Sequence, residues 1–375
     1  MKKKLLFISN ITNKITNFAI PSIETAQAMN YDVNMAANYS NFNDDPQKYG
    51  VILNHIDLVR NPLNLKNIIA ARQMLVLIKD KGIDAIHCNT PVGGILGRVC
   101  GKLGGVKKVV YTAHGFHFYK GAPLLNWLLY YPIERLLAHW TDAIITINKE
   151  DFEAAKKLSP RKKGKVYYVH GVGIDTAEFK RNDSIRQEKR RELNMADDDI
   201  IILSVGELNA NKNNKVIIEA LSKLKNKKIH YFLCGTGELK EQMMLQAENC
   251  GISENIHFLG FRSDVKELYS ATDVFVMPSF REGLSRSLME AMSAGLPCIV
   301  SNIRGNVDLI ENGKGGFLFN PEDSQKISEK LKILADDKEL RETMGEYNEK
   351  AVLQYDIENV KEEIREIYQK ELGRD

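Results

Sequence analysis

Short apolar runs alternate with helix-length segments along nearly all of this 375-residue chain. Lys4–Ser9, Val33–Ala37, Val51–Leu58, Asp84–Cys88, Lys108–Thr112, Ala143–Ile147 and Val166–Val169 read as strands. Phe18–Met29, Leu65–Lys79, Gly94–Leu103 and Leu124–His139 read as the helices between them. Strands this apolar must be covered on both faces, and the intervening helices do that when the strands lie parallel. The expected fold class is therefore α/β with a doubly wound parallel sheet. Ligands of such sheets bind beyond the carboxyl ends of the strands.

The alternation breaks at His170-Gly-Val-Gly-Ile-Asp175 and the polar run to Arg186, which reads as a linker. It restarts with Ile200–Val205, Val216–Leu224, His230–Cys234, Leu239–Cys250, His257–Leu259, Val265–Ser270 and Val274–Met277. The chain is long enough for two cores, and the expected domains are 1–177 and 178–354. Charge divides along the same line. Residues 1–177 hold 23 Lys+Arg against 13 Asp+Glu, a balance of +10, whereas the remainder carries −7. The first half is thus expected to face something anionic.

Five cysteines without a Cys-x-x-Cys suggest neither a disulfide framework nor a zinc site. After Lys2-Lys3-Lys4 the apolar run lasts only four residues, shorter than a secretory core, and no membrane-spanning stretch follows. A cytoplasmic protein is expected.

Chemistry concentrates in Ser279-Phe-Arg-Glu-Gly-Leu-Ser-Arg-Ser-Leu-Met-Glu-Ala-Met-Ser-Ala-Gly-Leu-Pro-Cys298. Glu282 falls on a loop after a strand, and Glu290 on a helix expected to begin near Leu284. Gly283 lets a ligand approach the backbone, and the helix start at Leu284 and Ser285 offers amides and a dipole suited to phosphate. Eight helical residues span roughly 12 Å. That exceeds the roughly 5–5.5 Å of a retaining glycosidase's carboxylate pair, so the two acids are expected to hold separate parts of one long ligand.

The setting Pro-Ser-x-x-Glu-Gly…Glu-Ala-Met-x-x-Gly-x-Pro resembles the signature of family-four retaining glycosyltransferases of the GT-B fold, two Rossmann-like domains facing a cleft. The resemblance implies that Glu282 meets the donor sugar and Glu290 the ribose of the nucleotide. It gives His114, in Thr112-Ala-His-Gly-Phe-His-Phe118, a place beside the reacting carbon, and Gly206 and Lys212 the diphosphate. Backbone groups of Phe261 and Arg262 would read the base, and a final helix at 357–372 would pack back on the first domain. Relatives usually have Arg where this chain has Glu207, so the diphosphate's charge would fall to Lys212, helix amides and Arg286 or Arg281. They also often carry glycines after the first strand, where this chain offers Thr16 and Asn17. His87, Asn89 and His117 join these two on the acceptor side, although a polar wall at the strand ends explains the histidines equally well.

The expected activity is metal-independent transfer of a sugar from a nucleotide diphosphate, a UDP-sugar by preference, with no cofactor. The acceptor implied is a polyprenyl-diphosphate-linked saccharide of capsule or exopolysaccharide assembly. Nucleic acid is not among the expected partners. The same fold also serves UDP-sugar 2-epimerases, and a catalytically silent sugar-nucleotide-binding subunit is the third reading. Segment 122–140, rich in Leu, Trp and Tyr, fits either a buried helix kinked at Pro132 or a surface on an anionic membrane's inner face.

Overall fold

The computed structural model describes residues 2–16, 18–62, 64–161 and 164–373. It forms two compact units, one of residues 1–173 with 357–375 and the other of residues 174–356. The first crossing thus lies at Gly173/Ile174 and not at 177/178.

The first unit runs β1 (Lys3–Ile11), α1 (Ile20–Ala28), β2 (Tyr31–Asn38), β3 (Ile52–His55), α2 (Lys66–Lys81), β4 (Ala85–Asn89), α3 (Pro91–Leu103), β5 (Lys108–Ala113), α4 (Leu124–Ala138), β6 (Ala143–Thr146), α5 (Lys149–Lys156) and β7 (Lys165–Tyr168). Its parallel strands lie in the order β3-β2-β1-β4-β5-β6-β7. Strand side chains alternate between faces. Leu6 and Ile8 join Met74, Ile78 and Cys100 in one core, and Leu5 and Phe7 join Ile23 and Ala26 in the other.

The second unit runs α6 (Asp183–Glu192), β8 (Ile200–Val205), α7 (Lys215–Leu224), β9 (Ile229–Cys234), α8 (Lys240–Asn249), β10 (Ile256–Gly260), α9 (Val265–Ala271), β11 (Val274–Met277), α10 (Arg286–Ser293), β12 (Cys298–Ser301), α11 (Asn306–Leu309), β13 (Gly316–Phe319), α12 (Ser324–Asp336) and α13 (Lys338–Ala351). Its sheet order is β10-β9-β8-β11-β12-β13, all parallel. The last helix, α14 (Ile357–Glu371), belongs to the first unit. Its Val360, Ile364, Ile367 and Tyr368 pack with Leu5, Phe7 and Ile23.

In both sheets the strand order reverses once, between β1 and β4 and between β8 and β11. The helices that follow neighbouring strands at such a point lie on opposite faces of the sheet, which leaves a crevice at the strand ends.

Of the two readings of segment 122–140, the structure takes the exposed one. Leu124, Leu125, Leu128, Leu129 and Leu136 of α4 are all more than half exposed, and the helix runs on through Pro132. Only Glu134, Leu137 and Ala138 of it are buried, and Glu134 meets Arg98 of α3 in a two-pronged ion pair of 2.7 and 3.0 Å. The helix therefore presents leucines outward and a carboxylate inward, the reverse of an ordinary surface helix.

Candidate functional site

At the reversal of the second sheet, the loop after β8 meets the loop after β11. Asn209 caps a 3-10 turn at 210–212 by accepting from the Lys212 amide at 3.1 Å, which fixes where the lysine side chain starts. Lys212 Nζ then reaches Glu282 Oε1 at 2.7 Å, with both side chains mostly buried. The loops are also stitched by backbone: Phe280 donates to the Asn211 carbonyl at 2.8 Å, and Asn211 Nδ2 to that of Arg281 at 3.0 Å. Gly206 follows β8 beneath the lysine stem. Beside it Gly235 has φ +149°, and a Cβ there would lie 1.9 Å from the Gly206 carbonyl oxygen, so only glycine fits.

Ser285 caps α10, its hydroxyl accepting from the Leu288 amide at 3.4 Å, so the helix starts two residues later than Leu284. Leu284 packs on the core below, and Gly283 lies against Gly305, where a Cβ would come within 2.3 Å of the Gly283 carbonyl oxygen. Glu290 is 8% exposed. Arg286 Nε donates to one of its carboxylate oxygens at 2.7 Å, and the Tyr269 hydroxyl lies 3.2 Å from the other. Burial raises the Glu290 pKa, against the lowering pull of Arg286. A cation, a helix start and two separated carboxylates, one buried, thus stand at one strand edge. That set suits an extended anionic ligand carrying hydroxyls.

Glu207 is exposed and accepts from Asn209 at 2.8 Å, so it adds no cation. Arg304 is the residue that sequence reasoning passed over. It sits in the Asn302–Asn306 turn, is 7% exposed, and its Nε donates to the Glu282 carbonyl at 3.3 Å. A lone arginine in a turn carries no sequence signal of that burial. Phe261 is 84% exposed after β10. Arg262 is engaged by Asp264 and Glu192, so its backbone rather than its guanidinium is presented.

The first unit gathers part of its set. His114 Nε2 lies 3.2 Å from Asn89 Oδ1, and its ring meets Phe18 edge-on at 5.1 Å. Burial holds the His114 pKa down at about 4, so the ring is neutral near pH 7. Because an amide oxygen only accepts, Nε2 carries the proton and Nδ1 is left as an acceptor. Thr16 lies near these residues on one cavity, whereas Asn17 falls outside the described residues.

His87 is a correction. It is inside β4, 1% exposed, with its nitrogens on Tyr368 and Thr112 at 2.5 and 2.7 Å. It is therefore a core residue that ties α14 to the sheet and not an acceptor-side group. His117 stacks on Tyr130 of α4 at 4.6 Å, and its carbonyl accepts from Asn126 at 3.0 Å, so it supports α4.

Two parallel Rossmann-like sheets, each reversing its strand order once, make this a GT-B fold. The chain belongs to the glycosyltransferases: residues 185–351 match the family described as glycosyl transferases group 1, and residues 4–148 the glycosyl transferase 4-like domain. It is 36% identical over 374 residues to a Bacillus subtilis (strain 168) protein named as glycosyltransferase EpsD, covering 98% of this chain and 97% of that one. It is 30% identical to the Escherichia coli UDP-Gal:alpha-D-GlcNAc-diphosphoundecaprenol alpha-1,3-galactosyltransferase, covering 83% and 81%. Among solved structures, Anabaena Alr3699/HepE in complex with UDP shares the fold with a TM-score of 0.79 at 20% identity, over 98% of this chain and 100% of that one.

Proposed function

We propose that the protein transfers a sugar, with retention, from a UDP-sugar to a saccharide on polyprenyl diphosphate, during cell-surface polysaccharide assembly at the inner membrane face. The observation that carries this reading is the meeting of Lys212 and Glu282 at the β8/β11 reversal. A donor diphosphate draws Lys212 to its oxygens and releases Glu282 to the sugar hydroxyls, so one ion pair is exchanged for another. Lys212 and the α10 start then stabilise the departing UDP while the sugar gains oxocarbenium character. Neutral His114 accepts from a sugar hydroxyl through Nδ1. The acceptor class is supported by the Escherichia coli relative, whose name gives a UDP-sugar donor, a diphosphoundecaprenol-linked acceptor and an alpha product.

The decisive experiment is incubation with UDP-sugars, with and without a diphosphate-linked saccharide. Acceptor-dependent UDP release with an α-linked product is expected. Sugar interconversion without acceptor points to an epimerase, and UDP binding without turnover to a silent subunit. Lys212 and the start of α10 supply the positive charge that meets the diphosphate in this reading, so full activity in EDTA is expected. Glu290→Ala should weaken UDP itself by about tenfold or more in calorimetry. Glu282→Ala should cut turnover while UDP affinity is largely kept, and the opposite split would exchange the two roles.

The membrane part rests on the first unit. Counting α14 with it, that unit holds 27 Lys+Arg against 18 Asp+Glu, and α4 turns its leucines outward. No described helix is long and apolar enough to cross a membrane, so contact would be at the surface. Flotation with anionic vesicles should show binding that salt weakens. Leu125→Ser with Leu128→Ser should abolish it, and binding that survives both substitutions would remove α4 from the surface.

A further inference from the structure

The reversal between β1 and β4 holds a cavity of about 530 Å³, the size of a small-ligand site. Phe7, Ile11, Ile15, Phe18, Met35 and Val92 make its apolar wall. Two cations, Lys14 and Arg60, also line it, and none of the described residues lining it is a carboxylate.

Four buried polar atoms on this lining have no hydrogen-bond partner among the described residues: Asn10 Oδ1, Asn89 Nδ2, Thr90 Oγ1 and His114 Nδ1. Asn89 is itself only 5% exposed. Buried polar atoms are normally satisfied, so four orphans on one wall mark a place shaped for ligand atoms. The start of α3 lies here too. Thr90 holds φ 65° and ψ 158°, rare for a β-branched residue, and no side chain caps the helix. The positive end of that dipole adds to the two cations.

We propose that this cavity binds the diphosphate and the adjoining isoprenoid of the acceptor, Lys14 and Arg60 holding phosphate oxygens and the apolar wall the hydrocarbon. The assignment rests on the transferase reading and deepens it. Two cations without a carboxylate reject a cationic ligand, and a wall of Phe, Ile and Met fits neither a free sugar nor a bare nucleotide. An anionic amphiphile satisfies both conditions. The orphan amide of Asn89 then lies where the sugar next to the diphosphate has its hydroxyls.

The test compares wild type with Lys14→Gln/Arg60→Gln, both exposed positions, on two soluble acceptors bearing one sugar. One carries a short alkyl diphosphate, the other a neutral alkyl chain. The ratio of kcat/KM for the charged over the neutral acceptor should fall about 10- to 100-fold in the variant. Calorimetry with the alkyl diphosphate alone should show the same loss. An unchanged ratio together with unchanged binding overturns the proposal. Inorganic diphosphate binding as tightly as the alkyl compound assigns the site to free phosphate and overturns the lipid half. If wild type transfers to neither acceptor yet binds the alkyl diphosphate through Lys14 and Arg60, the transferase reading fails while the site stands.

Discussion

Replacing Lys212 by alanine is expected to lower kcat about 10²–10³-fold, the loss found when one preorganised group facing developing negative charge is removed. The size follows from how few cations this site has. Glu207 supplies none, Arg286 is committed to Glu290, and Arg304 is turned to the Glu282 backbone. The substitution also leaves the Glu282 carboxylate without its partner in a mostly buried position. Lys212→Arg keeps the charge and should recover part of the rate, because a forked guanidinium cannot repeat a point contact. Steady-state UDP release with saturating acceptor measures both. A Lys212→Ala enzyme within about threefold of wild type would remove this residue from the chemistry.

Much of this site was legible in the sequence. β8 and β11 are short, largely apolar runs, so their carboxyl ends, and the loops holding Lys212 and Glu282, could be placed by counting. The pairing of those two side chains could not, since 70 residues separate them. His87 misleads because a histidine near the carboxyl end of a strand reads as one that can reach the ligand-binding edge. In the fold it is β4 interior, made tolerable by Tyr368 from the far end of the chain. α5 leaves little sequence signal because its eight residues, Lys-Glu-Asp-Phe-Glu-Ala-Ala-Lys, give too little apolar period to show a helix. The direction of α4 was hidden for the opposite reason. A segment apolar on nearly every side has no preferred face, and only the partner of Glu134 decides which one turns inward.

That partner sets the largest stability effect expected in the molecule. Glu134→Ala should destabilise the first unit by about 3–5 kcal/mol, the cost of stranding one member of a buried ion pair. Arg98 is fully buried, donates through Nε to the Gly94 carbonyl at 2.9 Å, and stacks on the Tyr111 ring at 3.8 Å. Burial alone would lower its pKa, but Glu134 beside it outweighs burial and holds it above the ordinary arginine value. The ordinary arginine value is itself so high that the guanidinium stays charged when the carboxylate goes. Replacing both, as Arg98→Met with Glu134→Leu, should recover most of the loss, because a buried pair exchanged for apolar groups is often close to neutral. The chain's only two tryptophans, Trp127 in α4 and Trp140 just after it, report on this region. In urea, Glu134→Ala should move the tryptophan transition to lower concentration, whereas Glu290→Ala in the other unit should leave it in place. A shift worth less than about 1 kcal/mol would mean that packing, not the pair, fixes α4. The vesicle variants sharpen the contrast. Leu125→Ser and Leu128→Ser alter only exposed positions, so they should leave the urea transition unmoved while removing membrane binding, separating what holds the helix from what it presents.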